Sequence, residues 1–260
     1  MFSPALPLLP LLYHAHNSLY LDDIPFWLKL AERNGSPILE LGCGTGRVLL
    51  PLTKAGYRLY GMDNDPDMLC FLDSQIPAGL EPAPTIIQAD MTRLVDRLSE
   101  IAGFSLVISP CNTLSLLSPA ERKATLAGAH CLLRPGGCLA LSLPNPEGLV
   151  RLPQASPPEI EEVFPHPVSG LPVQVSSSWR RTSMAFIVRW DYDQLLPDGQ
   201  VERTSVKLSH SLTPVQTHLA ELGAAGFTRI ETYGDFDQSP YAPDSPELLL
   251  VASKPETGFS

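Results

Sequence analysis

Cysteine is scarce and scattered in this 260-residue chain. The five cysteines, Cys43, Cys70, Cys111, Cys131 and Cys138, are odd in number and form no C-x-x-C pair. That argues against a disulfide framework and a thiolate zinc site, and buried thiols suit a reducing cytoplasm. No apolar run approaches the roughly 18 residues that a membrane span needs. The first ten residues are apolar but lack a basic leading region. Pro4, Pro7 and Pro10 interrupt them, so they do not read as a secretory signal. Basic clusters are missing too. Net charge is -10, and the longest basic run is Arg180-Arg181, read as a solvated strand end. Binding along a phosphate backbone needs a basic patch, so no generic nucleic-acid partner is expected. A folded RNA as a specific substrate stays open. There is no internal repeat.

What is present suits one large domain, or one core with an elaboration. Apolar residues make up 44% of the chain, enough for a sizeable core. Over residues 37–146, short apolar runs (37–41, 58–63, 85–88, 105–108 and 138–143) alternate with helical patterns. This is the texture of βαβ units on a parallel sheet covered on both faces. Ser118-Pro119-Ala120-Glu121 reads as a capping box with Pro at the first helical position. Leu126, Ala129 and Leu133 follow at helical spacing, and Gly136-Gly137 are expected to stop that helix. After Pro146 the texture changes. A Pro-rich loop leads to a strand over 173–179. Met184, Phe186, Val188, Trp190 and Tyr192 then recur at every second position, a strand period. Pro197-Asp198-Gly199 is turn chemistry, and 201–208 reads as the returning strand. Thr213-Pro214-Val215-Gln216 reads as a second capping box, with Gly226 ending that helix. Residues 227–233 and 247–252 read as an antiparallel pair.

The chemically informative segment is Leu39-Glu40-Leu41-Gly42-Cys43-Gly44-Thr45-Gly46-Arg47. A buried strand runs into a glycine-rich turn, and Val48, Leu49, Leu50 and Leu52 open a helix behind it. Glycines let backbone approach a ligand, and a helix N-terminus offers N–H groups. The spacing is G-x-G-x-G, not the G-x-G-x-x-G of dinucleotide binders, and Glu40 stands at the strand end. Asp63 ends the second apolar run. There it lies at the carboxyl edge of the sheet, where open α/β folds bind ligands, and it can accept both hydroxyls of a ribose. Asp65 before Pro66 can serve as the helix N-cap instead.

Glu40-x-Gly42-x-Gly44-x-Gly46, Asp63, Ala89-Asp90-Met91 and Leu133-Arg134-Pro135-Gly136-Gly137 together resemble the class I S-adenosylmethionine-dependent methyltransferases. The resemblance covers about residues 37–143, in order and at normal intervals. It implies that Gly42, Cys43, Gly44, Thr45 and Gly46 face the methionine part of the cofactor and that Glu40 helps hold its amino end. It implies ribose binding by Asp63 beside Asn64, and adenine contacts from Asp90, the backbone of Met91 and Met68. Ser109 and Pro110 would meet the methionine amine and the transferred methyl. Residues 13–27 resemble the helical lid of glycine N-methyltransferase-like and aminosugar N-methyltransferase-like enzymes, in which an aromatic covers the cofactor. Tyr13 and Tyr20 are the candidates here. The β-unit after the fifth strand resembles their substrate cap, with Asn112, Trp190, Arg189 and Tyr233 as acceptor-side candidates. The stretch Tyr233–Tyr241 resembles a loop of many uncharacterised bacterial members.

The implied architecture is α/β: a Rossmann-like seven-stranded sheet with an inserted antiparallel β-cap. Residues 1–36 would form the lid, 37–150 the cofactor core, 151–211 the Pro-rich loop and cap, and 212–260 the completion of the core. The implied function is methyl transfer from S-adenosyl-L-methionine to an N, O or C nucleophile of a small molecule, mainly by alignment, in a cytoplasmic monomer or homodimer without nucleic-acid or membrane partners. The alternatives are a cofactor-binding accessory protein without turnover and aminopropyl transfer on the same fold. Ser109-Pro110-Cys111-Asn112 stands where base and glutamine-amide methylating enzymes carry Asn/Asp-Pro-Pro-Tyr/Phe. No paired-cysteine set suits arsenic methylation, and no His–carboxylate cluster suggests a metal. His14, His16, His210 and Asp235 are candidate bases, none expected to be indispensable.

Overall fold

The computed structural model describes residues 6–256. Residues 1–5 and 257–260, the outer ends of the expected lid and core completion, lie outside that description. In chain order the elements are α1 (Leu8–Asn17), α2 (Ile24–Asn34), β1 (Ile38–Leu41), α3 (Leu49–Lys54), β2 (Leu59–Asp63), α4 (Pro66–Gln75), β3 (Thr85–Gln88), α5 (Leu94–Leu98), β4 (Phe104–Ser109), α6 (Pro119–Leu132) and β5 (Leu133–Pro144). Then come α7 (Pro146–Leu149), β6 (Glu159–Pro165), β7 (Pro172–Arg181), β8 (Ala185–Leu195), β9 (Val201–Ser211), α8 (Val215–Ala224), β10 (Arg229–Tyr233) and β11 (Glu247–Ser253).

One sheet has seven strands in the order β10-β11-β5-β4-β1-β2-β3. Its core pairs are parallel, and β11 runs antiparallel to both β5 and β10. The continuous apolar runs explain why both faces are covered. Leu139, Leu141 and Leu143 of β5, with Leu248 and Leu250 of β11, enter one core beside α6 and α8. Cys138 and Ala140, with Leu249 and Val251, enter the other beside α2 and α3. Successive strand residues point to opposite faces, so each strand feeds both cores. The second sheet, β6-β7-β8-β9, is antiparallel and inserted between β5 and α8. Leu12 of α1 packs on its Val173, Val175 and Tyr192.

Several local expectations change. β6 is a fourth cap strand inside the segment read as Pro-rich loop. Pro165 and Pro172 stand at its hairpin end, and the acidic Glu159–Glu162 stretch hides an edge strand with little apolar signal. The helix α6 stops at Leu132, ahead of Gly136-Gly137, because Leu133 is already extended and Pro135 could not continue it. Ser118 and Glu121 form the full capping box. Thr213 does not form one: Pro214 is the N-cap of α8 without a side-chain bond, and the Thr213 hydroxyl donates to Ser211 instead. Arg181 is not simply solvated, since its guanidinium donates to the Leu152 carbonyl at 3.0 and 3.1 Å. Asp65 caps α4, accepting from the N–H groups of Asp67 and Met68.

Candidate functional site

β1, β2 and β4 are adjacent and parallel, so their carboxyl ends bring Glu40, Asp63 and Ser109 to one edge. Glu40 is 2% exposed, and its Oε2 has no hydrogen-bond partner; neither has the Ser109 hydroxyl. Burial pushes the Glu40 carboxyl well above the usual carboxylate range, while the Arg47 charge acts the other way. Buried polar atoms are normally paired, so two orphans at neighbouring strand ends point to a bound group that completes them.

The glycine loop divides its work. A Cβ on Gly42 would lie 2.4 Å from Thr113 Cγ2, and one on Gly46 would lie 2.3 Å from Leu72 Cδ1. Those glycines serve packing. Gly44 has φ +50° and open space where its Cβ would be. The loop N–H groups of Gly42 and Cys43 donate to the Met62 carbonyl, Gly46 to Cys43, and Gly44 to Asp63 Oδ2 at 2.8 Å. With those donors spent, the loop is a surface for close approach and not a phosphate cradle. Cys43 turns its thiol into the core beside Gly61. Asp63 also accepts the Asp65 N–H at 3.0 Å. Burial raises its carboxyl above the usual range, and those N–H groups pull it back.

Asp90 is exposed and accepts the Thr92 N–H at 2.8 Å, which caps a short turn at Met91–Arg93 and lowers its carboxyl. Met91 leans on the core, Asn64 is exposed at the end of β2, and Met68 is half-buried in the first turn of α4. Pro110 is buried directly behind Ser109.

The two N-terminal helices close over this edge. Tyr13 is pushed up to about 12 by burial, in the field of Cys111, Arg47 and Asp63. His14 Nδ1 lies 3.1 Å from the Thr45 hydroxyl. Tyr20 lies with its ring 5.3 Å from the Arg47 guanidinium. Arg47 forks onto Asp23 at 2.6 Å for each nitrogen and also reaches the Tyr20 carbonyl and Cys111 Sγ, both at 2.8 Å. Asp23 is 1% exposed and also accepts from Trp27 Nε1 at 2.9 Å. Sequence reasoning had no role for this pair. The only signal was a charged residue where G-x-G-x-G ends.

Beside the edge, under the four-stranded sheet, lies a cavity of about 420 Å³. Leu149, Leu152, Phe186, Val188 and Trp190 give it apolar walls, and Asn112, His210 and Glu247 are polar groups within its lining. Asn112 and Trp190 thus meet here. Arg189 does not, because it alternates to the opposite face of β8 and pairs with Asp191 at 2.9 Å. Tyr233 is also outside this lining, its hydroxyl donating to Glu231 at 2.9 Å. Of the candidate bases only His210 lines the cavity. His14 sits on the loop, and Asp235 accepts the Phe236 N–H. His16 lies 3.1 Å from the Tyr192 hydroxyl and 3.0 Å from Glu161, a His–carboxylate pair that a sequence separation of 145 hid. Glu247 was not anticipated. A larger cavity, about 590 Å³, lies away from this edge among α7, α8 and Tyr241.

The strand order is that of the class I methyltransferase fold, and it gathers the acidic strand ends and the glycine loop at one edge. Residues 38–137 match the family profile described as "Methyltransferase domain". A provisionally named methyltransferase of Geobacillus sp. (strain WCH70) is 27% identical over 235 residues, covering 87% of this chain and 88% of that one. The carboxy-S-adenosyl-L-methionine synthase of Aliivibrio fischeri (strain ATCC 700601 / ES114) is 35% identical over 121 residues, 44% of this chain; the match spans 48% of that enzyme. Among solved structures, the sugar N-methyltransferase of Streptoalloteichus sp ATCC 53650 shares the fold. Its TM-score is 0.72 at 20% identity, covering 98% of this chain and 96% of that one. Residues 38–137 form a methyltransferase domain in a chain with the fold of the class I S-adenosylmethionine-dependent methyltransferases, and S-adenosylmethionine is the cofactor that this class uses. Among the described residues no helix is long and apolar enough to cross a membrane.

Proposed function

We propose that this chain methylates a small-molecule nucleophile held in the cavity under the cap. The orphaned Glu40 and Ser109 oxygens, beside the open space over Gly44, carry the reading of the cofactor cleft. When bound, S-adenosylmethionine supplies a methyl group already activated on sulfur. Glu40 would hold its amino end, and a cation there would offset the cost of charging a buried carboxylate. Asp63 would accept the ribose hydroxyls with its remaining lone pairs, Asp90, Met91 and Met68 would border the adenine, and Tyr13 and Tyr20 would cover the whole. The protein's work is to align nucleophile and methyl and to exclude water.

The sugar N-methyltransferase fold and a cavity of small-molecule size support the acceptor class. We assign residues 1–36 and 151–211 as lid and acceptor cap, on a cofactor core of 37–150 and 212–260. Five free cysteines support a cytoplasmic setting.

The test is Asp63→Ala. Removing a charged acceptor of ribose hydroxyls should weaken S-adenosylhomocysteine binding by about 1.5–3 kcal/mol. Calorimetry showing unchanged affinity would overturn the cofactor pose.

A further inference from the structure

The polar groups in the lining of the 420 Å³ cavity are unusual in sign. Glu247 begins β11 opposite Pro144. Among the described residues its carboxylate has no hydrogen bond and no cationic partner. The nearest charges are Asp235 and Asp23, and Asp23 is already spent on Arg47. The Tyr20 phenol also lies in its field. His210 Nδ1 lies 2.8 Å from the Ser115 hydroxyl. That hydroxyl donates its single hydrogen to the Asn112 carbonyl at 2.6 Å. A hydroxyl has one proton to give, so Nδ1 must be the donor to Ser115, and the neutral ring keeps Nε2 as an acceptor. Burial lowers the affinity of His210 for a proton, which keeps the ring neutral. Asn112 Oδ1 is buried without a partner. Asn145, the other amide in the lining, is already committed: its nitrogen donates to Ser245 and Pro243, and its oxygen accepts from Glu147 and Tyr241.

Three acceptors, one of them anionic, therefore border one apolar cavity, and no lysine or arginine stands among its lining residues. We propose that this cavity selects an acceptor that carries a protonated amine, with Glu247 as the group that reads its charge and His210 and Asn112 as further acceptors of its N–H groups. This rests on the methyl-transfer reading above. Burial, then Asp235 and Asp23, push the Glu247 carboxyl up to about 7, so it can also take a proton near neutrality. The ammonium gives one proton to the carboxylate and becomes a neutral amine. Its lone pair forms the new N–C bond as the methyl–sulfur bond breaks, with that bond's electron pair staying on sulfur. The product is an N-methylammonium, and the proton on Glu247 passes to solvent.

The experiment measures binding of cyclohexylamine and its uncharged counterpart cyclohexanol to the full chain by calorimetry at pH 7.5, with and without S-adenosylhomocysteine. The unmodified protein should prefer the amine by about 10- to 100-fold, the range for a hydrogen-bonded charge. Glu247→Gln should lose that preference, and Glu247→Asp, which keeps the charge, should retain most of it. Both variants should bind S-adenosylhomocysteine within about threefold of the unmodified protein, which separates a lost charge from a lost fold. Equal binding of the two probes, no binding of either, or a preference that survives Glu247→Gln overturns the proposal. The arm without S-adenosylhomocysteine tests the amine site by itself, so failure of cofactor binding, which would overturn the methyltransferase pose, is read separately.

Discussion

Removing Asp23 should be among the most damaging single changes outside the hydrophobic core. The carboxylate is 1% exposed and accepts three hydrogen bonds, two from Arg47 at 2.6 Å and one from Trp27 Nε1 at 2.9 Å. Asp23→Ala strands a guanidinium that is 12% exposed and an indole N–H on a fully buried ring. Deleting one partner of a buried pair costs about 3–5 kcal/mol, most of it the desolvation of the charge left behind. The orphaned N–H is part of that figure, and the Tyr20 carbonyl, which stays bound to Arg47, keeps the cost from rising further. Against a typical total of about 5–15 kcal/mol, the loss corresponds to roughly 6–20 °C in a domain of this size. Replacing both partners, Asp23→Leu with Arg47→Met, removes the stranded charge and should cost far less than the two single changes summed. Urea unfolding followed by tryptophan fluorescence reads all four proteins, and Trp27 itself reports the site. A loss under about 1 kcal/mol for Asp23→Ala, or a double variant that loses the full sum, would refute the buried-pair reasoning.

The glycine loop and Glu247 give two further expectations. Gly42→Ala and Gly44→Ala both place an alanine at positive φ, costing about 1–2 kcal/mol, but only Gly42→Ala also drives a methyl into Thr113. It should lose a further 1–3 kcal/mol or so in urea unfolding. Gly44→Ala should stay folded and lose S-adenosylhomocysteine affinity, and normal affinity there would count against a cofactor over Gly44. Glu247 has its carboxyl at about 7 in the folded protein against 4.5 unperturbed. Its contribution is fully present below about pH 4.5 and is lost as pH rises through 7. Glu247→Gln should therefore gain stability relative to the unmodified protein between pH 5 and pH 8, by at most about 3 kcal/mol. A pH-independent difference in urea midpoints would contradict it.

The core was legible because its signals are local. Continuous apolar strand runs, the Ser118–Glu121 capping box and the Glu40-to-Gly46 loop each sit within a few residues of sequence. The cap was legible where β8 repeats large apolar side chains at every second position, and illegible at β6, whose two faces both meet water and whose prolines read as loop. Long-range polar pairs left no trace. Asp23 finds Arg47 across 24 positions, His210 finds Ser115 across 95, and only the folded chain brings them together. Glu247 looked like an ordinary first residue of a strand. Its character comes from what surrounds it, the burial and the two like charges, and a sequence does not print a surrounding.

The same distinction bears on how the two halves of the site communicate. Helix α1 touches both. Its Leu12 is buried against Val173, Val175 and Tyr192 of the cap, while His14 meets Thr45 of the glycine loop and stacks near Phe71 of α4 at 4.9 Å. Detaching α1 would break the His14 contact with Thr45 and both His16 contacts, with Tyr192 and Glu161, and would uncover Leu11 and Leu12. Burial of a leucine is worth about 1.5–3 kcal/mol and a neutral hydrogen bond about 0.5–1.5, so full detachment would cost on the order of 5–10 kcal/mol, comparable to the stability of a whole domain. A cofactor under Tyr13, as proposed above, would add contacts to the same helix that packs Leu12 on the cap strands whose Trp190 walls the acceptor cavity, so cofactor cleft and cap are held by one element.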